Sequence, residues 1–92
     1  MREVLNFERG EVRKIFYTVH NCVPDDPMVI TSGKWKLLSR PSNRVVCEGV
    51  CYVDNNDLSM LIPFDEKGLY TIRVEVNIPP EIVVEETSVE VI

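Results

Sequence analysis

In the stretch Tyr70-Thr71-Ile72-Arg73-Val74-Glu75-Val76-Asn77-Ile78, every second residue is apolar: Tyr70, Ile72, Val74, Val76 and Ile78 share one parity, while Thr71, Arg73, Glu75 and Asn77 share the other. Successive side chains of a strand point to opposite faces, so this run predicts a strand with one core face and one solvated face. Pro79-Pro80 ends it, and residues 82–92 supply a last strand. There the apolar parity shifts from Ile82 and Val84 to Val89 and Val91. A one-residue slip turns the wrong face inward, so a bulge or break is expected near residues 85–87.

The same period of two recurs upstream, punctuated by Gly, Pro, Asn and Asp. Leu5 and Phe7 alternate before Arg9-Gly10, and Ile15, Tyr17 and Val19 alternate after it. Cys22-Val23-Pro24-Asp25-Asp26-Pro27 reads as a loop, because two prolines remove ladder donors and aspartate favours turns. Residues 28–30 form a short edge piece in this reading, and Gly33, Trp35 and Leu37 line one face of a half-buried strand. Arg40-Pro41-Ser42-Asn43 is a turn, residues 44–53 are one extended strand, and Asp54-Asn55-Asn56-Asp57 closes a hairpin onto Leu58, Met60 and Ile62, which alternate until Pro63. No helix of ordinary length fits.

The chain has 92 residues, 10 Lys+Arg against 15 Asp+Glu for a net charge of −5, and 45% hydrophobic residues. That is enough for one small core, so residues 1–92 are expected to form a single domain. About seven short strands in a chain this short predict an all-β fold, a two-sheet antiparallel sandwich, with a small barrel as the competitor. The start, Met1-Arg2-Glu3-Val4-Leu5-Asn6, carries charges where a signal peptide needs an apolar stretch. No run approaches the ~20 apolar residues of a membrane span. Cytosolic synthesis without membrane insertion is the expectation.

Asp65-Glu66-Lys67-Gly68-Leu69-Tyr70 resembles the corner of immunoglobulin-like domains, in which an acidic and a small residue precede a Tyr that opens a core strand. The resemblance implies that the Tyr70 hydroxyl bonds back to the corner backbone, and that Trp35 is the sandwich tryptophan. Ile72 stands where antibody domains carry a bridging Cys. Over the whole chain, Phe7-Glu8-Arg9-Gly10-Glu11, Pro27-Met28-Val29-Ile30-Thr31-Ser32-Gly33-Lys34-Trp35 and Gly68-Leu69-Tyr70 resemble small immunoglobulin-like modules of tailed-phage and prophage virion proteins, such as the N-terminal domain of baseplate upper proteins. What this implies is a structural role in a tail, baseplate or head-tail connector, with incorporation into a virion and no catalytic residue.

The three cysteines, Cys22, Cys47 and Cys51, are an odd number without a secretory signal, and are read as reduced thiols. On one regular strand, Cys47 and Cys51 stand about 13 Å apart, too far for a disulfide. Joining His20 and Cys22 to them as a zinc site would need a bulge at Gly49. Small apolar filler is the favoured role, and no cofactor is expected. His20 is the single histidine, with no orienting partner in a recognisable motif. The four glycines are scattered singly, so no phosphate loop is present. Asp54-Asn55-Asn56-Asp57 lacks the Gly and distal Glu of a calcium loop and reads as a turn.

Between Thr31 and Arg44 lie four cations, Lys34, Lys36, Arg40 and Arg44, and no acid. This is a candidate docking patch for an acidic partner. The overall acidity argues against general binding to a nucleic-acid backbone. Glu81, Glu85, Glu86 and Glu90 give the last strand a candidate acidic edge. Charges on an edge prevent uncontrolled pairing, and in a ring or tube they could also meet the basic stretch of a neighbouring copy. The functional expectation is a non-enzymatic assembly module acting through protein contacts, with no membrane and no small-molecule substrate. The alternative is a stand-alone immunoglobulin-like recognition domain that binds through loops at one end of the sandwich.

Overall fold

Eight strands carry the alternation just described in the computed structural model, which describes residues 4–19 and 29–92. They are β1 (Val4–Phe7), β2 (Glu11–Thr18), β3 (Ser32–Ser39), β4 (Arg44–Val50), β5 (Tyr52–Asp54), β6 (Asp57–Phe64), β7 (Gly68–Ile78) and β8 (Glu81–Val91). A five-stranded sheet of order β1-β8-β7-β3-β4 faces a three-stranded sheet of order β2-β6-β5. The fold is an immunoglobulin-like β-sandwich, and the described residues contain no helix. All strand pairs are antiparallel except β1 with β8, which run parallel.

One cluster of buried side chains lies between the sheets, with Trp35, Tyr70, Ile72 and Val74 from the larger sheet and Leu58, Met60, Ile62 and Phe64 from β6. Phe7 of β1 stacks on Phe64 of β6 at 4.6 Å between ring centroids, an aromatic contact from one sheet to the other. The corner before β7 has the form expected of it: the Tyr70 hydroxyl donates to the Glu66 carbonyl at 2.9 Å. Gly68 makes the bend with φ +145°, a conformation few other residues adopt. Tyr70→Phe is therefore expected to lower stability by about 1 kcal/mol, since the Glu66 carbonyl keeps access to water and loses a single neutral bond. Chemical denaturation of both proteins measures the difference.

The structure departs from the sequence reading at five places. Residues 44–53 are two strands and not one. The chain leaves the large sheet after Val50, passes through buried Cys51, and enters the small sheet as β5. The switch is fixed by the Cys51 N–H donating to the Gly33 carbonyl at 2.8 Å. Gly33 permits that approach, because a Cβ there would run into the Leu58 side chain and crowd Cys51. The described residues thus form eight strands, in keeping with the about seven expected. The bulge in this region falls in β4 at residue 46, between the Leu37–Cys47 and Leu38–Val45 pairs, and not at Gly49.

No bulge interrupts β8. Its register with β7 is unbroken from Gly68 opposite Val91 to Ile78 opposite Glu81. Val83, Val89 and Val91 share the inward parity, whereas Ile82 and Val84 stand on the outer face, 70% and 42% exposed. The change of apolar parity marks exposed aliphatic side chains, not a slipped chain. β6 likewise continues through Pro63 to Phe64. The Gly10 N–H bonds the Phe64 carbonyl, so Pro63, one residue earlier, turns its missing donor to the side that β5 does not reach. Residues 29–31 form no strand, though Ile30 is buried and the Thr31 N–H bonds the Asn77 carbonyl. Met28, the loop at residues 22–27 and the N-terminal residues 1–3 lie outside the described residues.

Candidate functional site

The outer face of the small sheet carries the parity opposite to the core. On β2 these are Val12, Lys14, Phe16 and Thr18; on β6, Ser59, Leu61 and Pro63; on β5, Tyr52. The register makes rows across the sheet: Val12 beside Pro63, Lys14 beside Leu61, and Phe16, Ser59 and Tyr52 in one line. Phe16 is 66% and Tyr52 71% exposed, and Val12 and Leu61 are exposed to a similar degree. Ser59, between the two aromatics, is buried. The one charge within these rows, Lys14, holds its ammonium 5.4 Å from the Phe16 ring centroid. Polar groups return only at the end of the sheet, where the Thr18 hydroxyl donates to Asp57 at 2.8 Å.

Sequence reasoning passed over this surface. Its signal was present in Phe16, between core residues Ile15 and Tyr17, and in Leu61, between Met60 and Ile62. Large apolar residues on both parities of a strand mean that both faces meet something apolar.

The expected basic patch is dispersed by the register. Lys34 and Lys36 stand on the outer face of the large sheet, where one row runs Val50, Lys34, Glu75, Val84 and the next Glu48, Lys36, Arg73, Glu86. Acids from β4, β7 and β8 thus stand among the lysines. Arg73 holds its Nε 3.9 Å from Glu75 in that face. Arg40 sits in the turn after β3 and Arg44 opens β4, away from the two lysines. The four glutamates do not line one edge either. Glu81 and Glu85 share one face of β8 and Glu86 and Glu90 the other, and Glu90 pairs with Asn6 of β1 behind it.

Where β4 departs for the small sheet the sandwich stands open. β5 is three residues long and pairs only with Asp57, Leu58 and Ser59, so β6 beyond Ser59 has no strand on that side among the described residues. Two grooves occupy the gap. One of about 550 Å³ is lined by Trp35, Gly49, Val50, Tyr52, Met60 and Leu61, and the other, about 480 Å³, by Leu37, Arg44, Cys47, Phe64 and Tyr70 among others.

Cys47 is half-buried and Cys51 buried, both reduced. Burial pushes both thiols above the ordinary range, with Asp65 adding to the effect at Cys47. At pH 8, alkylation followed by peptide mapping is expected to label Cys47 several-fold more slowly than an unfolded thiol, and Cys51 more slowly still until the chain unfolds. His20 and Cys22 of the zinc reading lie outside the described residues. Among the described residues, no group of three or more His, Cys, Asp or Glu is placed to hold a metal ion. Asp54-Asn55-Asn56-Asp57 is a two-residue hairpin turn, with Asn55 at φ 55°. No helix is long and apolar enough to cross a membrane among the described residues.

No protein-family model and no curated protein sequence matches the chain. Among solved structures, CopC from Methylosinus trichosporium OB3b is similar, with a TM-score of 0.67 over 95% of this chain and 81% of that one, at 13% sequence identity. At that identity the likeness is one of fold.

Proposed function

We propose that this protein is a non-enzymatic structural module that works through protein–protein contacts, in the setting its sequence resemblance implies, a tailed-phage or prophage virion. The observation that carries this reading is the outer face of the small sheet. Val12, Phe16, Tyr52, Leu61 and Pro63 form adjoining rows on a surface with a single cation at its centre. A contiguous apolar patch of that kind is a docking surface on a folded protein, because leaving it wet carries a solvation cost and an aggregation hazard.

The test is made on particles. Virions released by induction of the encoding strain and purified on a density gradient are expected to contain the chain in fixed copy number by quantitative mass spectrometry. Its absence from every particle fraction would refute the virion reading. A doubly substituted chain, Phe16→Glu with Leu61→Glu, is expected to melt within a few degrees of the native protein, since both sites are exposed, and to be lost from the particles. Undiminished incorporation would remove this face from the assembly.

A further inference from the structure

β5 begins only at Tyr52, so no described strand lies beside the end of β6, and the inner face of β4 is uncovered near its start. Two inner-face rows come to light there, Arg44-Ser39-Tyr70 and Cys47-Leu37-Ile72. The groove of about 480 Å³ between them and β6 has buried Leu37, Phe64 and Tyr70 as its floor. That volume is within the ordinary range for a small-ligand pocket.

The chain itself does not fill this groove. Residues 20–28 run between Val19, bonded to Asn56, and the segment that Thr31 ties to Asn77, both at the other end of the sandwich. Phe64 stands about 23 Å from Asp57 along β6 at ~3.3 Å per residue. Nine residues tethered at that far end extend about 32 Å at most, too little to reach the groove and return. Residues 1–3 precede β1, at the opposite edge of the large sheet from β4. A strand from another chain is disfavoured too. Pro63 offers no N–H on the β6 edge, and the bulge at residue 46 bends β4 across from it. Both features blunt an edge against strand addition.

The groove is charged at its two lips. Arg44 stands on the lip formed by β4, and Asp65 and Glu66, which follow β6, form the other. Among the described residues none of the three is in an ion pair. Burial raises the Tyr70 phenol, with Glu66 and then Asp65 adding to it, and burial followed by Asp65 raises the Cys47 thiol. Both carboxylates therefore act on the groove. The Tyr70 hydroxyl, bonded to the Glu66 carbonyl, holds that lip in place.

We propose that this groove binds a short apolar peptide by its two charged ends. The carboxylate lies on Arg44, the ammonium between Asp65 and Glu66, and the side chains on Leu37, Phe64 and Tyr70. Charge-assisted hydrogen bonds at both ends over an apolar floor select a ligand that carries both charges. The lips belong to different sheets, which pack about 10 Å apart, so a dipeptide spans them and a single amino acid, with both charges on one carbon, does not. The site is separate from the assembly reading, which uses the outer face of the small sheet.

The test titrates the ¹⁵N-labelled full chain with L-leucyl-L-leucine. Saturable amide shifts are expected within residues 37–47 and 63–70, together with slower alkylation of Cys47. The N-acetylated dipeptide, the dipeptide amide and free leucine are each expected to bind about tenfold more weakly or worse. Arg44→Gln should bind the amide and the free dipeptide within about twofold of one another, and Asp65→Asn with Glu66→Gln should do the same for the N-acetylated form. Circular dichroism checks each variant, and should one unfold, the ligand series on the native protein decides alone. No saturation, shifts centred elsewhere, or any blocked form or free leucine binding as tightly as the dipeptide overturns the proposal.

Discussion

Phe64→Ala is expected to lower the unfolding free energy by about 3–5 kcal/mol, the range for removing a fully buried aromatic ring. Phe64 is 1% exposed, near the end of β6, and its ring lies on Phe7 across the sandwich. The loss therefore combines the transfer of the ring with a cavity at the place where β1 is held to the small sheet. β1 is four residues long and pairs with β8 alone, so Phe7 and Leu5 are its principal inward contacts. A domain of this size has about 5–14 kcal/mol in all. The variant should then be partly unfolded near 37 °C, with a large fall in the urea midpoint. A double-mutant cycle with Phe7→Leu isolates the stacking, expected at about 0.5–1.5 kcal/mol. A midpoint shift equivalent to less than about 1 kcal/mol would mean that the ring is not buried as the structure has it.

The residues behind that prediction illustrate what a sequence can disclose. The period of two in β7 and β3 is a local property, and it identified Trp35, Tyr70, Ile72 and Val74, all of which are buried. The corner bond of Tyr70 spans four residues, and it was implied by the resemblance of that string to the corner of immunoglobulin-like domains. The division of residues 44–53 was not legible, because an extended chain keeps the same period on either side of Cys51. What moves it to the second sheet is a bond to Gly33, eighteen positions away in sequence. The start of β8 misled for a related reason. Ile82 and Val84 are apolar and exposed, and alternation cannot tell a core residue from an outward one at an open edge.

Charge was the least legible property. Lys34 and Lys36 have no acid near them in sequence, yet Glu48, Glu75 and Glu86 reach their rows from three other strands. Cross-strand neighbours set the field of a sheet surface, and they are fixed by register, which a linear charge count does not contain. The apolar outer face could have been found by asking which strands carry large apolar residues on both parities. Phe16, Tyr52 and Leu61 meet that criterion, and they make the face on which the proposed assembly depends.

Gly49→Ala puts two opposed effects in one measurement. A glycine within a strand is entropically unfavourable, and replacing it where the backbone is compatible raises stability by about 0.4–1 kcal/mol. Gly49 adopts no left-handed conformation, so the backbone tolerates alanine. Its cross-strand partner, however, is Trp35, and a Cβ built at Gly49 would stand 2.8 Å from the indole Nε1, 2.9 Å from Cε2 and 3.0 Å from Cζ2. These separations lie well inside van der Waals contact, and the indole is a rigid, buried plane rather than the tip of a flexible chain. Overpacking of this kind costs about 1–3 kcal/mol, so the contact outweighs the entropy and the net effect is destabilising. Gly49→Val should be worse, because the second and third methyl positions press on the same ring. Trp35 is the only tryptophan, so its emission reports the displacement directly: the spectrum should shift to longer wavelength as the indole is pushed toward the open groove beside it. Trp35→Phe in the Gly49→Ala background relieves the crowding, and the two substitutions together should cost less than the sum of each alone. A stabilised Gly49→Ala protein with unchanged emission would show that the indole does not lie over Gly49, and with it that the seat of Trp35 against β4 is different from the one described.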